Sequence, residues 1–150
     1  MIYLLHASNS NNELELVGRF ADLHFAKNRM EMLVHHLLPK GQSYSIVNDY
    51  GITKVSYDIN ITEVFAIFDI PSGEFGVFHY SDEINKIEML SETTFCTLED
   101  AAAALEEEIE TTNYKAIYEE RDDDDNLIYG EYEDNEDYMH SYKVVGGKSI

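Results

Sequence analysis

Acidic oxygen ligands crowd one part of this sequence. Glu119-Glu120-Arg121-Asp122-Asp123-Asp124-Asp125-Asn126 runs through Leu127 and Ile128 into Tyr129-Gly130-Glu131-Tyr132-Glu133-Asp134-Asn135-Glu136-Asp137-Tyr138. Carboxylates at such spacing can coordinate a hard cation or pair with the arginines and lysines of a basic surface. Numbering Asp122 as the first position of an EF-hand-like calcium loop puts Asp124 third, Asn126 fifth and Glu133 twelfth, all suitable ligands. The sixth position, where the sharp turn needs glycine, is Leu127, and the following segment reads as a strand. No metal ligand set is assigned on that pattern.

Other chemistry is weakly signalled. Glu31 and His35 stand one helical turn apart with His24 on the same general side, but neither His-x-x-x-His nor His-Glu-x-x-His occurs. His35 and His36 project about 100° apart on a helix, so these read as helix-surface histidines. Cys96 has no evident partner and is expected to be a buried, inert thiol. Glycine-rich phosphate loops and a nucleophile elbow are missing, so no catalytic residue and no cofactor are expected, and the chain does not read as an enzyme.

Charge carries the functional signal. The formal net charge is −20 over 150 residues, from thirty acids against ten lysines and arginines. Residues 1–98 hold thirteen acids and six bases, for −7; residues 99–138 hold seventeen acids and two bases, for −15; the last twelve residues hold two lysines. Direct nucleic-acid binding is disfavoured, because phosphate recognition needs clustered lysine and arginine. Membrane roles are disfavoured too: no run approaches the roughly 18 apolar residues of a spanning helix, and anionic headgroups repel an acidic surface. The single cysteine and an N-terminus without a basic n-region fit a reducing, cytoplasmic setting.

The placement of the acids breaks local rules. Glu106, Glu107, Glu108 and Glu110 fall at the C-terminal end of a predicted helix, where each carboxylate costs about 0.3–1 kcal/mol against the helix dipole. Four adjacent aspartates in a loop repel one another. A solvated acidic face kept for solubility is the plain explanation, and charge runs usually are that. Rule-breaking without structural gain is nonetheless where function is sought. The candidate partner-binding residues are these four glutamates with Glu119, Glu120, Asp122, Asp123, Asp124, Asp125, Tyr129, Glu131, Tyr132, Glu133, Asp134, Glu136 and Asp137. Tyrosine offers a rigid apolar body that stacks on arginine; Tyr114, Tyr118 and Tyr142 instead read as sheet packing. If helix end and hairpin share one face, fifteen net charges over about 30 Å approach one per ~2 Å, close to the roughly one per 1.7 Å of duplex DNA.

In charge, size and tyrosine content, residues 99–138 resemble the acidic inhibitors, many of phage origin, that imitate DNA. Those proteins occupy nucleic-acid-binding sites on host defence, restriction or repair proteins. The resemblance implies a basic protein partner, with carboxylates in place of phosphates, and transfers no individual residue because it carries no motif. An acidic adaptor or antitoxin that binds one basic partner without imitating DNA, and a metal-dependent hydrolase built on Asp122, Asp124 and Glu133, are the competing readings.

The elements that must position these residues form an α+β fold, expected as one antiparallel sheet packed by two helices with an acidic C-terminal hairpin. Residues 1–145 are expected to make one domain and 146–150 a flexible tail, with no internal repeat. Apolar segments at 2–6 and 13–18 predict a first hairpin around a turn at 8–12, and strands follow at 44–48 and 52–58. Residues 64–70 and 75–80 predict a second hairpin around Pro71-Ser72-Gly73-Glu74, with 84–90 a further strand. One helix starts at Asp22 and ends at Pro39-Lys40-Gly41, with Phe25 and Met32 widening its buried face; the other follows a Thr97–Asp100 capping box. Residues 114–121 and 127–133 predict the acidic hairpin, and 138–145 a last strand.

Overall fold

The computed structural model describes residues 1–8, 13–37, 43–46, 53–58 and 61–147. The turns expected at 9–12, 39–41 and 48–51 lie outside the described residues. The fold is α+β, but its strands divide between two antiparallel sheets instead of forming one. The first contains β1 (Ile2–Ser8), β2 (Leu14–Phe20), β3 (Ser43–Ile46), β4 (Thr53–Asp58) and β5 (Ile61–Ile70), in the order β2-β1-β5-β4-β3, with α1 (Leu23–Leu37) between β2 and β3 in sequence. The second contains β6 (Phe75–Ser81), β7 (Lys86–Met89), β8 (Lys115–Arg121), β9 (Leu127–Glu133) and β10 (Met139–Gly146), in the order β7-β6-β10-β9-β8, with α2 (Leu98–Glu110) between β7 and β8.

Both halves of the chain therefore run β-β-α-β-β-β and fold into the same strand order. This is an internal duplication of topology, where no repeat was legible in the residues.

Alternation explains the layering. Ile2 and Leu4 of β1 and Val64, Ala66 and Ile70 of β5 share one face and pack on Phe78, Tyr80, Ile87 and Val145 of the second sheet. Leu5, Ala7, Phe65 and Ile67 take the opposite face and cover Ala26, Met30 and Val34 of α1. In the second sheet Val77, Tyr132, Tyr142 and Val144 turn outward onto Ala101 and Leu105 of α2. The order of layers is α1, sheet, sheet, α2. Each fully buried leucine, isoleucine or phenylalanine of the inter-sheet layer contributes roughly 1.5–3 kcal/mol, and Leu4, Ile70, Phe78 and Ile87 are all completely enclosed.

This layering corrects the expected second hairpin. β5 and β6 carry apolar residues on both faces because each is roofed by a helix on one side and by the other sheet on the other. They belong to different sheets, and Pro71–Glu74 is the crossing between them. Gly73, at φ +84°, makes the bend. Gly73 N–H donates to the carbonyl of Gly147, and Gly147 N–H to that of Glu74, each at 2.8 Å. Residues 146 and 147, expected to begin a flexible tail, are instead part of the fold: Gly146 ends β10, and Gly147 is buried against the crossing.

The helices are capped as their sequences dictate. Asp22 Oδ1 accepts the His24 N–H at 2.7 Å, and Thr97 Oγ1 accepts the Asp100 N–H at 3.1 Å. Phe25 and Met32 are 63% and 62% exposed, instead of widening the buried face of α1. At 100° per residue they rotate away from the Ala26–Met30–Val34 stripe. Cys96 is exposed, not buried, just outside the α2 cap.

Candidate functional site

β2, an edge strand of the first sheet, meets β10 of the second, which leaves β9 and β8 standing beyond that edge. β8 is exposed along its whole length. The wing formed by these two strands presents alternate residues to opposite sides. Tyr132 lies on the α2 side, 1% exposed, and its hydroxyl donates to Glu119 Oε2 at 2.7 Å. Tyr118 and Glu120 face the other way, paired in register with Glu131 and Tyr129.

That second side closes a groove of about 650 Å³ against the start of β2, lined by Glu13, Glu15, Tyr118, Glu120, Tyr129 and Glu131. The Tyr118 and Tyr129 rings lie 6.1 Å apart. Lys143 also lines the groove, with its ammonium 5.8 Å from the centroid of the Tyr129 ring. Tyr129 donates its hydroxyl to Glu131 Oε2 at 2.8 Å; burial and then that carboxylate hold the phenol protonated far above its usual range.

Arg121 ties the wing to α2. Its guanidinium contacts Glu106 Oε1 at 2.5 Å and donates to the Asp125 carbonyl at 3.0 Å. Glu106, Asp125 and Glu119 all raise its pKa, with the Glu106 hydrogen bond the largest cause. The helix glutamates and the hairpin thus do adjoin, at Arg121. The acids nevertheless divide: Glu106 and Glu119 belong to the α2 side, and Glu120 and Glu131 to the groove.

Part of the aspartate run builds its own loop. Asp122 Oδ1 accepts the N–H groups of Asp124 at 3.0 Å and Asn126 at 2.8 Å, and Oδ2 accepts from the Asn126 side chain at 3.2 Å. Asp125 N–H donates to the Asp122 carbonyl, and Asp125 adopts φ 64°. The loop between β9 and β10 repeats this construction. Asp134 Oδ1 accepts from Glu136 N–H at 2.8 Å and Tyr138 N–H at 3.0 Å, Asp137 N–H donates to the Asp134 carbonyl, and Asp137 adopts φ 68°. Aspartate tolerates that left-handed conformation better than most residues. Asp122 and Asp134 are therefore loop caps.

Asp123 and Asp124 remain on the exposed tip, Glu107, Glu108 and Glu110 on exposed α2, and Glu136 and Asp137 on the far loop. Glu133 is half-buried at the end of β9 away from Asp122. Seven residues of strand separate them by about 20 Å, so Asp122, Asp124 and Glu133 do not converge. Among the described residues, no group of three or more His, Cys, Asp or Glu is placed to hold a metal ion.

Sequence reasoning missed several of these residues. Glu13 and Glu15 come from the first half of the chain, and Tyr118, read as packing, is 50% exposed in the groove. Tyr114 and Tyr142 do pack, stacking on His140 at 4.5 Å and His79 at 4.4 Å. Those two histidines form a buried hydrogen-bonded line between Glu88 of β7 and Asp134. Only alternation along β6 and β10 hinted that both face α2.

No helix among the described residues is long and apolar enough to cross a membrane. No known family matches the sequence, and no curated protein or solved structure shows significant similarity to it.

Proposed function

We propose that this chain is an acidic binding protein of a reducing cytoplasm that occupies a basic, nucleic-acid-binding surface of another protein and inhibits it. The observation that carries the reading is the β8–β9 wing, an exposed edge of the second sheet with carboxylates on both sides and glutamates of α2 beside it. Such a surface steers a basic partner over a Debye length of about 8 Å and pairs with its arginines and lysines. Resemblance to DNA-imitating, anti-defence inhibitors supports the finer assignment, with carboxylates standing for phosphates.

One observation favours a second reading, an adaptor or antitoxin for one basic partner without DNA mimicry. Acids split between two sides of a wing lower the density on each, and leave less likeness to a continuous phosphate row than a shared face would. Capture of partners from host lysate at low and high salt, with duplex DNA as competitor, separates the two. Recovery of nucleic-acid-binding proteins that DNA displaces fits the inhibitor; recovery that DNA leaves untouched fits the adaptor. Recovery insensitive to Asp123→Lys with Asp124→Lys and to salt removes both.

A further inference from the structure

We propose that the groove between β2 and the β8–β9 wing is a recognition site for an extended, arginine-bearing segment of the partner, seated as an added strand on the free edge of β8. The inference rests on the acidic-partner reading and names the element that does the recognising. Three separate features converge on that occupant.

The first is the edge. Among the described residues β8 ends the second sheet, so one row of its N–H and C=O groups has no neighbouring strand there, and an extended segment can pair with it. The second is charge. Among the described residues four glutamates and one cation, Lys143, line the groove, a net −3 that is complementary to a cation and hostile to an acidic chain. The third is the pair of tyrosine rings. An added strand sends every second side chain to the groove side, where a long one meets first Tyr118 of β8 and then Tyr129 of β9, whose rings lie 6.1 Å apart across the two strands.

Arginine fits better than lysine. Its planar guanidinium stacks on a ring face while its fork reaches a carboxylate, here Glu120 or Glu131; an ammonium makes only a point contact. The chain already contains one such arrangement, Lys143 beside the Tyr129 ring. Lys143 therefore competes for part of the site, and removing it should open the Tyr129 face to the incoming guanidinium.

The test uses the full chain and a fluorescent peptide of alternating arginine and serine, titrated by anisotropy at physiological salt beside its lysine counterpart. Expected results are tighter binding of the arginine peptide, about tenfold loss with Tyr118→Ala, and a comparable loss with Glu120→Gln plus Glu131→Gln. Glu31→Gln plus Glu99→Gln removes the same charge from exposed sites away from the groove and should cost less than about threefold. Lys143→Met should strengthen binding severalfold where Lys86→Met does not. Equal binding of both peptides, a silent Tyr118→Ala, or equal losses from the two glutamate pairs would overturn the groove while leaving a diffuse acidic surface standing. If neither peptide binds, the groove assignment falls, and the acidic-partner reading is judged by the salt-sensitive capture alone.

Discussion

His79 Nε2 and His140 Nδ1 lie 2.9 Å apart inside the second sheet, and a carboxylate holds the other nitrogen of each ring. His79 Nδ1 is 3.1 Å from Glu88 Oε1, and His140 Nε2 is 2.9 Å from Asp134 Oδ2. Two neutral imidazoles supply two ring protons, whereas three hydrogen bonds in line between ionised acceptors require three. Burial of the His79 ring opposes that third proton, and Tyr142 and Tyr114 stack on the His79 and His140 rings. Nitrogen-15 spectra at neutral pH should therefore show one of the two His79 ring nitrogens protonated. Protonation of both would mean that the line stores an extra proton on His79 in spite of its burial.

Acid sensitivity follows from burial. Burial is the largest cause holding His79 below the usual histidine range, opposed by its bond to Glu88 and reinforced by the charge of His140. His6 is more extreme: completely enclosed between the sheets, its ring 4.2 Å from that of Phe78, with neither nitrogen hydrogen-bonded among the described residues. Burial, then the charges of Lys143 and Arg19, lower it to about 3. A histidine whose folded value is depressed leaves stability undiminished above its unfolded value near 6.5. Below that pH the unfolded chain binds protons that the folded chain refuses, so up to about 1.4 kcal/mol is lost per pH unit per group until the folded value is reached.

His6→Leu should accordingly stabilise the protein. It replaces two unsatisfied nitrogens by an apolar side chain of similar volume, for a gain of about 1–2 kcal/mol or a rise of several degrees in Tm. The fall in Tm between pH 7 and pH 5, measured by thermal melts, should become shallower but not vanish, because His79 titrates with the same sign. An unaltered pH slope would show that His6 has a partner in solution.

Gly130 is fixed by its neighbour two residues along. A Cβ there would strike the Tyr132 ring, reaching Cε2 at 2.5 Å as well as the hydroxyl that bonds Glu119. The ring is locked between α2 and the glycine, so Gly130→Ala should cost about 1–3 kcal/mol by overpacking. Adding Tyr132→Leu should relieve the clash, so that the double variant loses less than the sum of the singles in denaturant melts. Strict additivity would place the ring elsewhere.

How far the residues disclosed this molecule depends on which interactions are local. The helices, their Asp22 and Thr97 caps and most strands were legible, because periodicity and capping act over a few residues. The partition into two sheets was not. Phe65 and Phe68 announced a strand buried on both faces, but a helix roof and a sheet floor leave the same apolar signature as a central place in one sheet. The duplicated topology was hidden because equivalent strands share only alternation. The groove was hidden because Glu13 and Glu15 reach Tyr118 and Glu131 only through sheet packing. Within the acidic run, charge was visible, but which aspartates serve the turn depends on loop hydrogen bonds that composition does not encode.

That division can be measured on adjacent residues. The Asn126 backbone N–H, then the Asn126 side chain and the Asp124 N–H, hold the Asp122 carboxyl below its usual range. Its contribution is present above pH 3.8 and disappears as the pH falls through the lower folded value. Asp122→Ala should therefore open the tip, raising amide hydrogen exchange at Asp124 and Asn126 at neutral pH, whereas Asp123→Asn should leave those amides protected. Both variants should weaken capture of a basic partner, Asp123→Asn by loss of charge alone and in proportion to the low-salt contribution. Asp122→Ala should weaken it further at equal charge, because the displaced tip also frees Arg121 from the Asp125 carbonyl. If exchange at the tip responds equally to the two substitutions, Asp122 is not its cap.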